Sequence, residues 1–369
     1  MTQRIAVYIT SFSDGGVERN MVMLASGFAE MGYATDLLIA GDEAYPFLYR
    51  LSPKVNLIRL PQKRRRRLPA TVAYLRQASP AIMLSAKQRD DELALAAGRI
   101  AGSETRFFLR CGIHLSSRPK MTSWNPLRRW WHYHNTRRLF QTADGAICVS
   151  QGVAEDLAQV AQIDMGKIHV VRNPTITPDF DGLSRANTTH PWFEPGQPPV
   201  IIGAGALAPV KRFHDLVTAF AGLASETDAR LVIFGQGKTA PALEDLARKL
   251  GVADRVDLPG YTDNLMAYLR RARLFVLSSE REGSPNVLTE ALACGTPVVA
   301  TDCPSGPMEI LAGGKYGALV PIGDVKALRQ AMLGALQHPL PAEFLQEAVG
   351  EYTTERACTR YLQAFGLLA

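Results

Sequence analysis

The 369-residue sequence is poor in cysteine: Cys111, Cys148, Cys294, Cys303 and Cys358 are odd in number and scattered, with no CxxC pair. That spacing builds neither a disulfide framework nor a zinc knuckle, and it fits the cytosol. No stretch approaches the roughly 18 to 20 unbroken apolar residues of a membrane-spanning helix. The N-terminus carries only the run Ile5 to Ile9 before Thr10 and Ser11, so neither a spanning segment nor an export signal is expected. The first glycine turn, Ser13 to Arg19, carries no GxGxxG fingerprint, which weakens a dinucleotide hypothesis. With 47% hydrophobic and 21% charged residues, 30 Gly and 23 Pro, the composition is neither that of a disordered chain nor that of collagen.

What remains is a folded chain long enough for two or three domains at roughly 150 residues each, of which two is the economical number. The net charge of +6 hides a strong local bias. Between Arg59 and Arg138 there are 18 Lys/Arg against 4 Asp/Glu, a balance of +14 that leaves −8 for the rest.

Short apolar runs alternate with helical patterns. Ile5 to Thr10 reads as a strand, Ser11 to Gly16 as a turn, and Val17, Met21, Leu24, Ala25, Phe28 and Met31 as a helix face that Gly32 stops. Further strands are expected at Ala34 to Ala40, Ala81 to Ser85, Arg106 to Arg110, Gly145 to Ser150 and His169 to Arg172. Six prolines in residues 173–199 mark an expected linker. Strands at Val200 to Ala204, Arg230 to Phe234, Val256 to Leu258, Leu274 to Ser278 and Pro297 to Ala300 then alternate with helices from about Phe213 and Pro241. The reading is α/β: a Rossmann-like domain over 1–172, the linker 173–199, and a second Rossmann-like domain over 200–351, facing each other across a cleft. From about Glu343 to Leu368 the pattern is helical, and the part at about 352–369 is free to pack back on the first domain.

Three loops carry chemistry. In Ser13-Asp-Gly-Gly-Val-Glu-Arg19, Gly15 and Gly16 suit either a phosphate approaching a helix start or a turn that needs glycine for steric reasons. In Gly203-Ala-Gly-Ala-Leu-Ala-Pro-Val-Lys-Arg212, Lys211 and Arg212 could neutralise a diphosphate, or be a solvated pair; a helix start disfavours cations that lack an anionic partner. The third loop runs from Glu280 through Arg281-Glu-Gly-Ser-Pro to Asn286, a candidate N-cap, and into a helix. Glu282 and Glu290 flank that helix start, and paired carboxylates accept sugar hydroxyls well. Glu290 stands among Leu288, Ala291, Leu292 and Ala293, where a carboxylate needs a partner.

The run Glu282-Gly-Ser-Pro-Asn-Val-Leu-Thr-Glu290-Ala-Leu-Ala-Cys-Gly-Thr-Pro-Val-Val-Ala-Thr301 closely resembles the E-x7-E signature of retaining glycosyltransferases of family 4, which have the GT-B fold. Gly15-Gly16, the Lys211 loop and Gly260-Tyr-Thr-Asp-Asn-Leu265 extend the likeness over both lobes. The resemblance implies a hexosyltransferase. In it, Glu290 holds the ribose hydroxyls of a nucleotide-sugar donor and Glu282 contacts the donor sugar. Lys211 and Arg212, with the backbone at Gly283 and at Asn286, Val287 and Leu288, take the diphosphate, and Gly16 closes over it. The base lies near Gly235, Gly260 and Tyr261. His114 is the match for the family's N-lobe histidine, although a register two residues earlier puts Gly112 there. Ala206 stands where the family usually has Arg. No metal or other cofactor is implied, and Asp179 and Asp181 lie in the Pro-rich stretch rather than after a strand.

The basic face combines Lys63 and Arg64, Arg65, Arg66 and Arg67 with a stretch from Trp124 to Arg138 that contains Arg128, Arg129, Trp130 and Trp131. Cations beside interfacial aromatics favour an anionic membrane surface, against the plainer reading of a solvated loop and an ordinary helix. Nucleic acid is not expected as a partner, because no reader motif accompanies the cations. The sequence thus predicts a metal-independent transferase on the inner face of the cell membrane. It would carry sugar from a UDP- or GDP-type donor to a glycan, lipid-linked and part of a cell-envelope polysaccharide such as lipopolysaccharide. A nucleotide-sugar epimerase or hydrolase on the same fold, and a scaffold protein using the basic face on nucleic acid, are the alternatives.

Overall fold

A computed structural model describes residues 3–10, 15–43, 45, 47–118 and 124–368. The chain forms two compact units, residues 1–175 with 352–369, and residues 176–351. In the first, the order is β1 (Arg4–Tyr8), α1 (Gly16–Glu30), β2 (Ala34–Ala40), β3 (Asn56–Leu60), α2 (Arg64–Ala78), β4 (Ile82–Ser85) and α3 (Gln88–Ala101). It continues with β5 (Arg106–Cys111), α4 (Pro126–Thr142), β6 (Gly145–Cys148), α5 (Gln151–Ala161) and β7 (Ile168–Val170). The second unit contains α6 (Phe180–Arg185), β8 (Val200–Ala204), α7 (Phe213–Leu223), β9 (Arg230–Phe234), α8 (Ala240–Lys249), β10 (Val256–Gly260) and α9 (Leu265–Leu269). There follow β11 (Leu274–Leu277), α10 (Asn286–Ala293), β12 (Val298–Thr301), α11 (Pro307–Ile310), β13 (Ala318–Val320), α12 (Val325–Gln337) and α13 (Ala342–Glu347). Helix α14 (Thr354–Ala364) returns to the first unit. Among the described residues no helix is long and apolar enough to cross a membrane.

Both sheets are wholly parallel, in the orders β3-β2-β1-β4-β5-β6-β7 and β10-β9-β8-β11-β12-β13. Strands buried on both faces need near-continuous apolar sequence, and β1, β4, β9 and β11 have it. Strand order reverses at β1/β4 in one sheet and at β8/β11 in the other. Loops leaving the carboxyl ends of strands at such a switch point form the ligand crevice of open α/β sheets.

Two expectations change. Residues 173–199 are not a free connector, because the prolines shape local structure in place of extending the chain. Pro191 opens a 3-10 turn, Phe193 packs edge-on against Tyr268 at 5.0 Å, and His190 Nε2 lies 2.7 Å from Asp257 Oδ2. The terminal helical pattern is also broken in two. Helix α13 belongs with the second unit, whereas α14 sets Tyr361 and Phe365 against Phe28 of α1, at ring distances of 6.1 and 6.0 Å.

At the β1/β4 switch the first unit buries acids. Asp90 accepts from the amide and hydroxyl of Thr10, and Asp91 Oδ1 accepts from Ser85 Oγ at 2.5 Å. Burial pushes both carboxyls up, Asp91 the further, with Asp90, Cys111 and Glu92 adding to the shift. A carboxyl raised in the folded state stabilises while protonated, and that contribution is lost as pH rises from the ordinary Asp range, about 4, through the folded value. Asp91→Asn, which keeps the acceptor for Ser85, should therefore melt close to the wild type near pH 4 and above it at pH 8. Equal melting temperatures at both pH values in calorimetric scans would count against a buried, proton-holding Asp91.

Candidate donor-binding site

The β8/β11 switch assembles the candidate site from the loops that follow those strands. After β8, a 3-10 turn at Pro209–Lys211 brings Lys211 back over Gly205; a Cβ built on Gly205 would lie 3.3 Å from Lys211 Cε. After β11, the segment reaching Glu282 runs alongside: the Glu280 amide donates to Val210 O at 2.8 Å, and Ser278 Oγ donates to Lys211 O at 2.7 Å. The side chains then meet. Lys211 Nζ lies 2.6 Å from Glu282 Oε1, with the two side chains only 20% and 12% exposed. An ion pair so shielded is far less screened than a surface pair.

Arg212 does not join it. As the residue between the 3-10 turn and α7 it adopts φ 47°, a left-handed conformation. That turns its guanidinium to Asp215, with Nε 2.6 Å from Oδ2, and against Gly323. His214 Nε2 approaches the other oxygen of Asp215 at 3.1 Å. The two adjacent cations are therefore separated: Lys211 faces Glu282, and Arg212 ties down the start of α7.

Glu282 and Gly283 are held by a loop the sequence reading passed over. Ser305 Oγ donates to Glu282 O at 2.9 Å, and Gly306, at φ 90°, lies so near Gly283 that a Cβ there would be 3.0 Å from its carbonyl. Helix α10 begins at Asn286 after Pro285, so Asn286 is the first helical residue and not the N-cap. Its carbonyl accepts from Thr289 Oγ1 at 2.7 Å. Of the amides expected to face an anion, that of Leu288 closes the first turn onto Pro285 O at 3.1 Å; Val287 precedes it. Glu290 is buried on the next turn, 3% exposed; burial, and then the charge of Glu290, pushes the Cys294 thiol up to about 12. Cys303, also buried, is likewise pushed up to about 12, by burial and then by Glu282.

The glycines expected around the base serve packing first. A Cβ on Gly235 (φ 140°) would sit 1.9 Å from Gly205 O, and the Gly235 amide donates to Gly260 O at 2.8 Å. Gly237, not singled out from sequence, is as tightly placed against Leu207 O. The loops after β8, β9 and β10 thus lie backbone to backbone, with Tyr261 beyond Gly260 and 41% exposed.

The other expected residues lie in the first unit. Gly15 (φ −85°) precedes α1 and Gly16 is its first residue, so neither uses a positive φ; Ser11 to Asp14 of that turn lie outside the described residues. His114 stands in the loop after β5, its Nδ1 3.2 Å from Ser116 Oγ and 3.5 Å from Asp156 Oδ1. Asp156 also accepts the amides of Leu115 and Ser116, so it clamps that loop. Arg67 leaves the expected basic face: its guanidinium donates to Thr10 Oγ1 at 2.6 Å and to Gln62 O at 2.8 Å. Asp179 and Asp181 lie instead in the second unit, where Asp179 accepts from Thr177 Oγ1 and Asp181 pairs with Arg185. Among the described residues no three His, Cys, Asp or Glu side chains gather as a metal site.

Comparison with known proteins agrees with this architecture. The family described as Glycosyltransferase Family 4 matches residues 14–177, and the family described as Glycosyl transferases group 1 matches residues 185–356. The chain is 27% identical over 361 residues, 95% of each protein, to the lipopolysaccharide core biosynthesis glycosyltransferase LpsE of Rhizobium meliloti. It is 30% identical over 199 residues to a Campylobacter jejuni N-acetylgalactosamine-N,N'-diacetylbacillosaminyl-diphospho-undecaprenol 4-alpha-N-acetylgalactosaminyltransferase, covering 54% of this chain and 52% of that one. In fold it matches Anabaena HepE, solved with UDP-glucose, at a TM-score of 0.78 and 17% identity, over 99% of this chain and 100% of that one. With each half matched by a glycosyltransferase family description, the N-terminal one that of family 4, and the two parallel sheets found as that fold requires, the chain is a glycosyltransferase of GT-B fold.

Proposed function

We propose that this glycosyltransferase moves a sugar, with retention of configuration, from a UDP- or GDP-type donor to a lipid-linked glycan of the cell envelope, at the cytoplasmic face of the membrane and without a bound metal. The shielded Lys211–Glu282 contact beside the start of α10 carries this reading. Departure of a nucleoside diphosphate builds negative charge, and a fixed ammonium with a helix N-terminus stabilises that charge without reorganising at the moment of reaction. Glu282 takes the hydroxyls of the departing sugar and Glu290 those of the ribose. Arg212 acts as a positioning residue through Asp215, keeping the turn that presents Lys211 in place. The acceptor hydroxyl attacks from the face the leaving group vacates. The names of LpsE and of the Campylobacter transferase support an envelope glycan and a diphosphate-lipid acceptor, and UDP-glucose in HepE supports a uridine donor.

Calorimetric titration with UDP-, GDP- and ADP-sugars tests the donor class. A UDP- or GDP-sugar should bind, and Glu290→Ala should weaken it by about 10- to 100-fold, the worth of a charge-assisted bond of about 1.5–3 kcal/mol. Unchanged affinity in that variant would remove the ribose role. Release of free sugar without acceptor would assign a hydrolase.

A further inference from the structure

Helix α4 is apolar on two opposite sides. Thr136, Leu139 and Phe140 are buried against the first unit, which accounts for one side. At about 100° per residue, Leu127, Trp130, Trp131 and His134 fall in a stripe about 100° wide on the other. That stripe is bare: Leu127 is 77% exposed, Trp130 63% and Trp131 53%, and Trp124, just ahead of the helix, is fully exposed. Trp130 stacks on His134, one turn further along the helix, at 5.1 Å. An ordinary surface helix keeps one apolar side, and a second one needs something to cover it.

The surroundings are of one sign. Residues 105–143 contain no Asp or Glu, and neither do residues 44–89. Arg128 flanks the stripe and is exposed, whereas Arg129, also exposed, falls on the opposite side of the helix at 100° per residue. Helix α2 opens on Arg64, Arg65 and Arg66 with no acid in its first turn and no side-chain cap, so these cations add to the positive end of a helix dipole. Glu92 of α3 ties the two elements together: it lies 3.6 Å from Arg64 Nη2 and accepts from Asn135 Nδ2 of α4 at 2.9 Å. The arginines of α2 and the stripe of α4 therefore belong to one side of the first unit.

We propose that this side docks on an anionic bilayer, with the α4 stripe entering the headgroup region and Arg64 to Arg66 and Arg128 holding lipid phosphates. The inference rests on the membrane-side reading above and specifies its surface: α4 inserts, the start of α2 supplies charge, and Arg67 takes no part. Charge complementarity selects this occupant. A two-fold dimer through the stripe would bring two copies of one positively charged surface together, and a nucleic-acid backbone gives Leu127 and the indoles nothing to cover.

Co-sedimentation of the full chain with vesicles of phosphatidylcholine, with and without phosphatidylglycerol, tests the proposal. The chain should bind the anionic vesicles, with a blue shift of tryptophan emission, and leave them at high salt or on pure phosphatidylcholine. Replacing Leu127, Trp130 and Trp131 together by Ser should lower partitioning by at least about tenfold, and Arg64→Ser with Arg65→Ser and Arg66→Ser by a similar factor. All six side chains are exposed, so melting curves should be unchanged. Vesicle binding that survives the α4 triple variant overturns the proposal. So does a dimer in sedimentation velocity that the same variant dissociates, or equal loss on duplex DNA with no effect on vesicles. Nucleotide-sugar titration of the same variants reads the donor unit separately, so a failure of docking is distinguishable from a failure of the transferase reading.

Discussion

Lys211→Ala lowers the transfer rate on the order of 10²–10³-fold, the usual cost of removing one fixed donor from developing negative charge. The expectation follows from where the ammonium stands. It is held at the end of a 3-10 turn whose carbonyl is pinned by Ser278, over a glycine that leaves it room, and it is 80% shielded from solvent. Arg212 cannot take over, because its guanidinium is engaged with Asp215 and packed at Gly323. Single-turnover rates with saturating donor separate this from a binding defect, since an interaction made mainly in the transition state lowers kcat more than it raises KM. A loss of less than about tenfold would mean that another group neutralises the leaving diphosphate.

Glu282→Gln should split binding from chemistry. The carboxylate that is to receive the donor sugar sits on the ammonium that is to receive the phosphate, so a nucleoside diphosphate must displace it or share Lys211 with it. Glutamine keeps the shape and removes the competing charge. Free UDP or GDP should then bind about tenfold more tightly, equivalent to ~1.4 kcal/mol, while sugar transfer slows because the acidic contact to the sugar is gone. Without nucleotide the variant should melt below the wild type, since a largely buried lysine has lost its counter-ion, and added nucleotide should recover most of the difference. Weaker or unchanged nucleotide affinity would show that the pair is no obstacle to the diphosphate and would return Glu282 to a purely structural role.

Much of this was legible in the residues. The strands at Ala34–Ala40, Val200–Ala204 and Arg230–Phe234 coincide with their apolar runs because buried parallel strands tolerate little else. Strands β3 and β13 escaped, being edge strands with partly exposed, mixed sequence, and β13 is only three residues long. Proline density misread residues 173–199, since a fixed φ serves a tight turn as well as an extended connector. At the site, chain order and the switch-point rule suffice to bring the loops of Lys211 and Glu282 together. The direction of Arg212 was not readable, because it depends on one left-handed backbone angle. Nor was the withdrawal of Arg67, which needs Thr10 from a distant strand. Side-chain destinations of that kind are settled by tertiary neighbours, which no local pattern encodes.

The return of α14 to the first unit has a consequence for biogenesis. Phe28 and Phe108 are roofed by Tyr361 and Phe365, side chains translated only after the whole of residues 176–351. On the ribosome the early sheet must wait with that patch uncovered, while the later unit, continuous in sequence, can close as soon as it emerges. The half synthesised first is therefore the half that finishes folding last, and it is the one that depends most on protection from aggregation in the interval.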